Sequence, residues 1–192
     1  TLPSVRSIYS NKTLEFLTHD TRVITGQASI ATDASLTARN NGFPLTGRGV
    51  TVAVLDTGID ATHPDLTFGT QVSGNIRTLD FQGSSPGFLY PQVIEGMLDS
   101  DPIMGHGTFV GGVIAGSGVA SAGYYGGMAP GAKLLGVSAG DASLFYVLSG
   151  IDYILSKRVE MNVRVVNCSF GISGLFDAHD PVNIATRIMH DS

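Results

Sequence analysis

The chain has 192 residues, of which 43% are apolar, 14% charged and 25 are glycine; the charged share lies well below the roughly 25% of an average soluble domain, and glycine is about twice its usual 7%. Such a chain buries a substantial core, as one domain or one domain with a short appendage, and is not intrinsically disordered. A net charge of −5, with 11 Lys and Arg and no basic run, excludes an electrostatic footprint for nucleic acid or an anionic membrane. The single cysteine, Cys168, excludes an intrachain disulfide framework and a thiolate zinc cluster.

No basic segment followed by an apolar one stands at Thr1, so a signal peptide is expected to be absent or already removed. The longest uncharged stretch, between Asp101 and Lys133, holds ten glycines, two prolines and His106, too weakly apolar to span a bilayer.

In chain order, residues 1–25 form a separate leading segment, with the alternation Thr13-Leu14-Glu15-Phe16 of a half-buried strand followed by the charged stretch His19-Asp20-Thr21-Arg22. Residues 28–43, with Ile30, Ala31, Ala34 and Ala38 at helical spacing, are loosely helical and end at Asn40-Asn41-Gly42. Val50 to Leu55 is apolar on both faces, as in the middle of a parallel sheet. Residues 68–103 read as a long irregular connection, and 109–116 as a buried helix whose glycines allow close approach to a neighbouring backbone. Ala132 to Val137 is a second strand. Leu144, Val147, Leu148, Ile151, Ile154 and Leu155 predict a helix behind the N-cap candidates Asp141 and Ser143. Val163 to Phe170 is a third strand, and Asp180-Pro181 opens a last helix with Val182, Ala185, Ile188 and Met189 on one face. Strands alternating with helices predict an α/β fold, a parallel β-sheet with helices packed on it.

Three places carry chemistry. Asp56 closes a buried strand before Thr57-Gly58, at the carboxyl edge where open α/β sheets place their sites; an aspartate capping a turn would look the same locally. His106 sits in the glycine-flanked turn Gly105-His106-Gly107-Thr108 at a helix start, where the positive end of the helix dipole favours the neutral imidazole that a general base needs. Val165 to Gly171 ends in Ser169-Phe170-Gly171, an edge able to take an extended peptide by strand addition, with Phe170 walling a side-chain pocket. An ordinary sheet edge is the competing reading.

Together and in this order, these segments resemble the subtilisin-like serine proteases, the subtilases. The resemblance rests on Leu55-Asp56-Thr57-Gly58-Ile59-Asp60 with His63-Pro64-Asp65-Leu66, on Gly105-His106-Gly107-Thr108-Phe109-Val110-Gly111-Gly112, on Met128-Ala129-Pro130-Gly131-Ala132 and on Asn167-Cys168-Ser169-Phe170-Gly171. It covers roughly residues 45–175, and three such motifs in order are far more specific than one. It implies a subtilisin-like sheet with helices on both faces, residues 26–192 as the amino-terminal part of a catalytic domain, and residues 1–25 as a propeptide tail and processing junction. It implies catalytic roles for Asp56 and His106 and substrate pairing by Ser169, Phe170 and Gly171, in a secreted or extracytoplasmic serine endopeptidase acting on peptides or proteins. The aspartate–histidine–serine order itself is already established for subtilisin.

The family's serine follows Gly-Thr, but here Gly69-Thr70 and Gly107-Thr108 are followed by Gln71 and Phe109, and the oxyanion-hole asparagine also has no counterpart. The isolated chain is therefore expected to be inactive, with a companion polypeptide carrying the nucleophilic serine. Phe109 stands where many family members have a second histidine, and Gly111 where alanine is usual. Asp65 matches a carboxylate that binds calcium in some subtilases, but residues 117–127 lack the expected partner oxygens, so no cofactor is expected and the calcium site is in doubt.

Four other readings compete. Gly136-Val137-Ser138-Ala139-Gly140, followed by Asp177 and His179, matches an α/β-hydrolase esterase with Ser138 as nucleophile. A subtilase-like frame without its serine could serve as a non-catalytic binding subunit. Asp56-Thr57-Gly58 is also the aspartic-protease triplet, but it occurs once in an alternating chain. Metal hydrolysis by His63, Asp65 and His106 matches no known ligand spacing.

Overall fold

A computed structural model describes residues 18–82, 89–140, 143–171 and 177–192. Three short helices, α1 (Thr18–Ile24), α2 (Gln27–Thr32) and α3 (Ala34–Arg39), precede the first strand. The charged stretch expected in the leading segment thus enters α1, whereas the strand expected over Thr13 to Phe16 lies outside the described residues. Asp33 divides the helix expected over residues 28–43. Its extended backbone ends α2, and its carboxylate accepts the Ser35 and Leu36 N–H groups to start α3, the usual competition of a short polar side chain with helix continuation.

β1 (Thr51–Asp56) is buried along its whole length, as its run of apolar residues predicts. It is followed by β2 (Val72–Gln82), β3 (Leu89–Ile94), α4 (His106–Ala115), β4 (Lys133–Ser138), α5 (Leu144–Lys157), β5 (Val163–Asn167) and α6 (Pro181–Asp191). The sheet order is β3-β2-β4-β1-β5. β1 pairs in parallel with β4 and β5, and β2 with β4, while β3 runs antiparallel to β2. The fold is therefore mixed α/β with a mostly parallel sheet.

Two expectations need correction. Residues 68–103 are not an irregular connection: their mixed polar pattern hides β2 and β3, which are stabilised by pairing with β4 and with each other rather than by a continuous apolar run. The third strand stops at Asn167 rather than Phe170: its last match on β1 is Val54, although β1 itself continues to Asp56.

Alternate residues of β1 feed two cores. Val52 and Val54 pack with Ile59, Leu66, Leu134, Val110 and Ile114 of the α4 side; Ala53 and Leu55 pack with Val137, Val147, Ile151 and Ile154 of the α5 side. Helices thus cover both faces of the sheet. Ser143 is the N-cap of α5. Asp180 caps α6 through the Val182 and Asn183 N–H groups, and Val182, Ala185 and Met189 join the α5 core, but Ile188 is exposed. Among the described residues, no helix is long and apolar enough to cross a membrane.

Candidate active site

The chain leaves β1 toward α4 on one face and returns from β4 through α5 on the other, so the carboxyl end of β1 lies where the connections diverge. Asp56 ends this strand, pairs in register with Ser138 and is buried. Its main-chain oxygen accepts the Ala139 N–H at 2.7 Å. Its Oδ1 accepts the Thr57 N–H at 2.7 Å and meets His106 Nδ1 at the same distance. The buried Oδ2 has no hydrogen-bond partner among the described residues.

His106 is the first residue of α4, after Gly105 at φ 71°, a left-handed conformation that glycine adopts without penalty. No side chain of the N-cap residue binds the helix start. Asp101 replaces it: Oδ1 accepts the Gly105 N–H at 3.0 Å, and Oδ2 accepts the Thr108 N–H at 3.1 Å and the Thr108 hydroxyl at 2.7 Å. Thr108 Oγ1 in turn accepts the Asp60 N–H at 2.9 Å, tying α4 to the segment that follows β1. Gly107 completes the junction. Its N–H donates to Thr57 Oγ1 at 2.9 Å, and a Cβ there would lie 2.1 Å from the Gly58 carbonyl oxygen. The close approach to a neighbouring backbone expected of the glycines in residues 109–116 falls instead on Gly107, outside that stretch; Gly111 meets the Leu134 and Ile59 side chains, and Gly112 has open space around its Cβ position.

An ionised carboxylate can only accept, so the Asp56 contact places the proton on His106 Nδ1 and leaves the Nε2 lone pair available. The imidazole is 49% exposed whereas the Asp56 side chain is 3% exposed. The ring is thereby half open to solvent while the carboxylate it meets is buried.

Ser169, Phe170 and Gly171 are exposed beyond the end of β5. Ser169 Oγ donates to Asn167 Oδ1 at 2.8 Å, and a Cβ at Gly171 would meet nothing within 4 Å. Cys168 is half buried, and burial first, then the Asp56 charge, push its thiol above the ordinary cysteine range.

The other candidate residues are committed elsewhere. Ser138 is 2% exposed and its hydroxyl donates to the Thr57 carbonyl at 2.8 Å, the reverse of an exposed nucleophile. Asp177 and His179 pair with each other at 3.4 Å on the surface. His63 Nδ1 accepts the Asp65 N–H at 3.1 Å, and Asp65 Oδ1 accepts the Ser117 hydroxyl at 3.2 Å and the Ala120 N–H at 2.9 Å. No group of three or more metal-ligating side chains occurs among the described residues. Sequence reasoning missed Asp101, Thr57 and Thr108 as supports of the site. The available signal was an acid four residues before a glycine at a helix start, where no local cap could serve.

A family model described as the subtilase family matches residues 47–188. The chain belongs to the subtilase family. It is 35% identical over 200 residues to serine protease AprX of Bacillus subtilis strain 168, covering all of this chain and 40% of that protein. It is 34% identical over 130 residues to the major intracellular serine protease of the same organism, covering 65% of this chain and 35% of the relative. An intracellular serine protease of Paenibacillus polymyxa is 35% identical over 123 residues, 60% of this chain and 32% of its own length. This subtilase chain thus spans well under half the length of the curated relatives it matches. Two of their names include the word intracellular, which does not support the expected extracytoplasmic location. A solved structure named S41 psychrophilic protease shares the fold, with a TM-score of 0.56 and 23% identity, over 86% of this chain and 48% of that one.

Proposed function

We propose that residues 26–192 are the amino-terminal part of a serine endopeptidase catalytic domain in which Asp56 and His106 are two members of the triad. The observation that carries this reading is the 2.7 Å contact between a buried carboxylate and a half-exposed imidazole, in a chain of the subtilase family. His106 Nε2 takes the proton of a serine hydroxyl as its oxygen attacks the scissile carbonyl, and returns it to the leaving amine. Asp56 holds the tautomer and stabilises the imidazolium formed in between. The acyl-enzyme is then hydrolysed by water, which His106 deprotonates in the same way.

The serine and the oxyanion donor come from outside residues 1–192, on a companion polypeptide segment. Two observations support this. Asp56 Oδ2 is buried with no donor among the described residues, a state that costs free energy until one reaches it. β5 ends the sheet with Val165 half exposed, beside a groove of about 560 Å³ lined by Ile154, Val163, Val166 and Met189, which gives further chain an edge to extend. Ser169, Phe170 and Gly171 pair with the extended substrate. Residues 1–25 are a propeptide tail and processing junction, and the isolated chain has no peptidase activity.

The test is denaturing mass spectrometry of the native preparation after fluorophosphonate treatment. The adduct is expected on a serine outside these residues, and Asp56→Asn should lower kcat by about four orders of magnitude, the cost of losing the tautomer in such triads. An adduct on Ser138, or on no serine at all, would overturn the reading.

A further inference from the structure

On the side of β1 away from β5, residues 100–104 and the carboxyl ends of β2 and β4 enclose a second pocket, of about 350 Å³. It reaches Thr57 and Ser138, respectively the chain neighbour and the sheet partner of Asp56, so it adjoins the Asp56–His106 pair. Its walls include Ile103 and Met104, 85% and 69% exposed, together with Leu79 and Tyr146. Gly140 lies at its rim with φ 57°, and a Cβ there would press on the Tyr146 ring at 3.3 Å.

One cation stands among these apolar residues and the polar Thr57, Thr78, Ser100 and Ser138 of the same wall. Arg77, half buried on β2 opposite Ser138, has no carboxylate within ion-pair distance among the described residues. The acid that shares the wall, Asp101, has both oxygens occupied by Gly105 and Thr108. A partly desolvated guanidinium without a counter-charge is costly, and its planar fork matches a carboxylate with two parallel hydrogen bonds.

We propose that this pocket selects a substrate with an acidic side chain next to the scissile bond, the carboxylate on Arg77 and its methylene stem against Ile103 and Met104. The assignment rests on the peptidase reading and names the substrate class of that site. The test uses the complete protein and peptides whose scissile amide is replaced by an uncleavable reduced bond, with Glu or Gln scanned through the positions flanking that bond. Calorimetric binding should show one position at which Glu binds about tenfold tighter than Gln, the scale of a hydrogen bond to a charged partner. Arg77→Gln should erase that preference and leave the Gln peptide's affinity unchanged. Arg77→Lys, which keeps the charge without the fork, should retain a smaller preference and serves should the Gln variant not fold. Equal binding of Glu and Gln peptides at every position, or a preference that survives Arg77→Gln, overturns the proposal. Hydrolysis of the ordinary amide peptides is scored separately. Binding preference without hydrolysis refutes the peptidase reading alone, and hydrolysis without preference refutes the pocket alone.

Discussion

The segments that follow β1 and β5 leave the same carboxyl edge of one sheet, but they are held very differently. After β1, Asp56, Thr57, Gly58 and Asp60 are bonded or packed to α4 through His106, Gly107 and Thr108, with a glycine where two backbones touch. After β5, among the described residues, Ser169 bonds to Asn167 nearby, Phe170 and Gly171 are exposed, and nothing crowds a Cβ at Gly171. Under the proposed function the contrast has a reason: a proton-transfer pair has to be positioned before substrate arrives, because small misplacements cost rate, whereas a strand edge would gain its order from a bound peptide.

The largest test of this contrast is a pair of alanine substitutions. Gly107→Ala drives a methyl into the Gly58 carbonyl and should cost about 3 kcal/mol, read as a lower denaturant midpoint at constant slope, and it should move the His106 ring out of hydrogen-bond reach of Asp56. Gly171→Ala should change stability by less than about 0.5 kcal/mol. Comparable losses at both sites would break the comparison.

Asp101→Ala is the next largest. It strands the Gly105 and Thr108 N–H groups and should cost about 2 kcal/mol, with exchange broadening of the His106 ring signals in NMR. Unchanged His106 spectra would show that Asp101 does not position the imidazole. At the open edge, Phe170→Ala should raise KM for peptides severalfold in the complete protease while the unfolding midpoint stays within about 0.5 kcal/mol of the parent. A large stability loss there would mean that the edge is part of the rigid frame.

The smallest effect lies outside both segments, at Asp33. The Leu36 N–H first, then the Ser35 hydroxyl, hold its carboxyl below the ordinary 3.8. A lowered native value means that its support of α3 is present above that ordinary value and fades as pH falls through the lowered one. Protection of the Ser35 and Leu36 amides, measured relative to their intrinsic exchange rate at each pH, should therefore fall only in that acid range. Protection that is independent of pH-driven protonation at Asp33→Asn would confirm the cap as the cause, and a fall beginning near neutrality would exclude it.

Legibility in the sequence followed the range of the forces involved. β1, β4, α5 and α6 were readable because apolar periodicity and local caps act within a few residues. β2 and β3 were not, since Asn75, Thr78 and their neighbours are stabilised by contacts far along the chain: Thr78 Oγ1 donates to Ser138, and Asn75 Nδ2 to Ile59 and Met97. The end of β5 was not readable either: β1 runs on to Asp56, but its pairing with β5 ends at Val54.

The places of Asp56 at a strand end and of His106 at a glycine-flanked helix start were readable from their motifs, because those local frames dictate backbone geometry wherever they occur. Only the tertiary structure decided that the two side chains meet at 2.7 Å, that Ser138 turns its hydroxyl inward, that Asp101 caps α4, and that Arg77 lines a pocket with no carboxylate within ion-pair distance among the described residues. Those outcomes join residues from different elements, and which of them come within hydrogen-bond reach is set by how sheet and helices pack, a property no local pattern encodes.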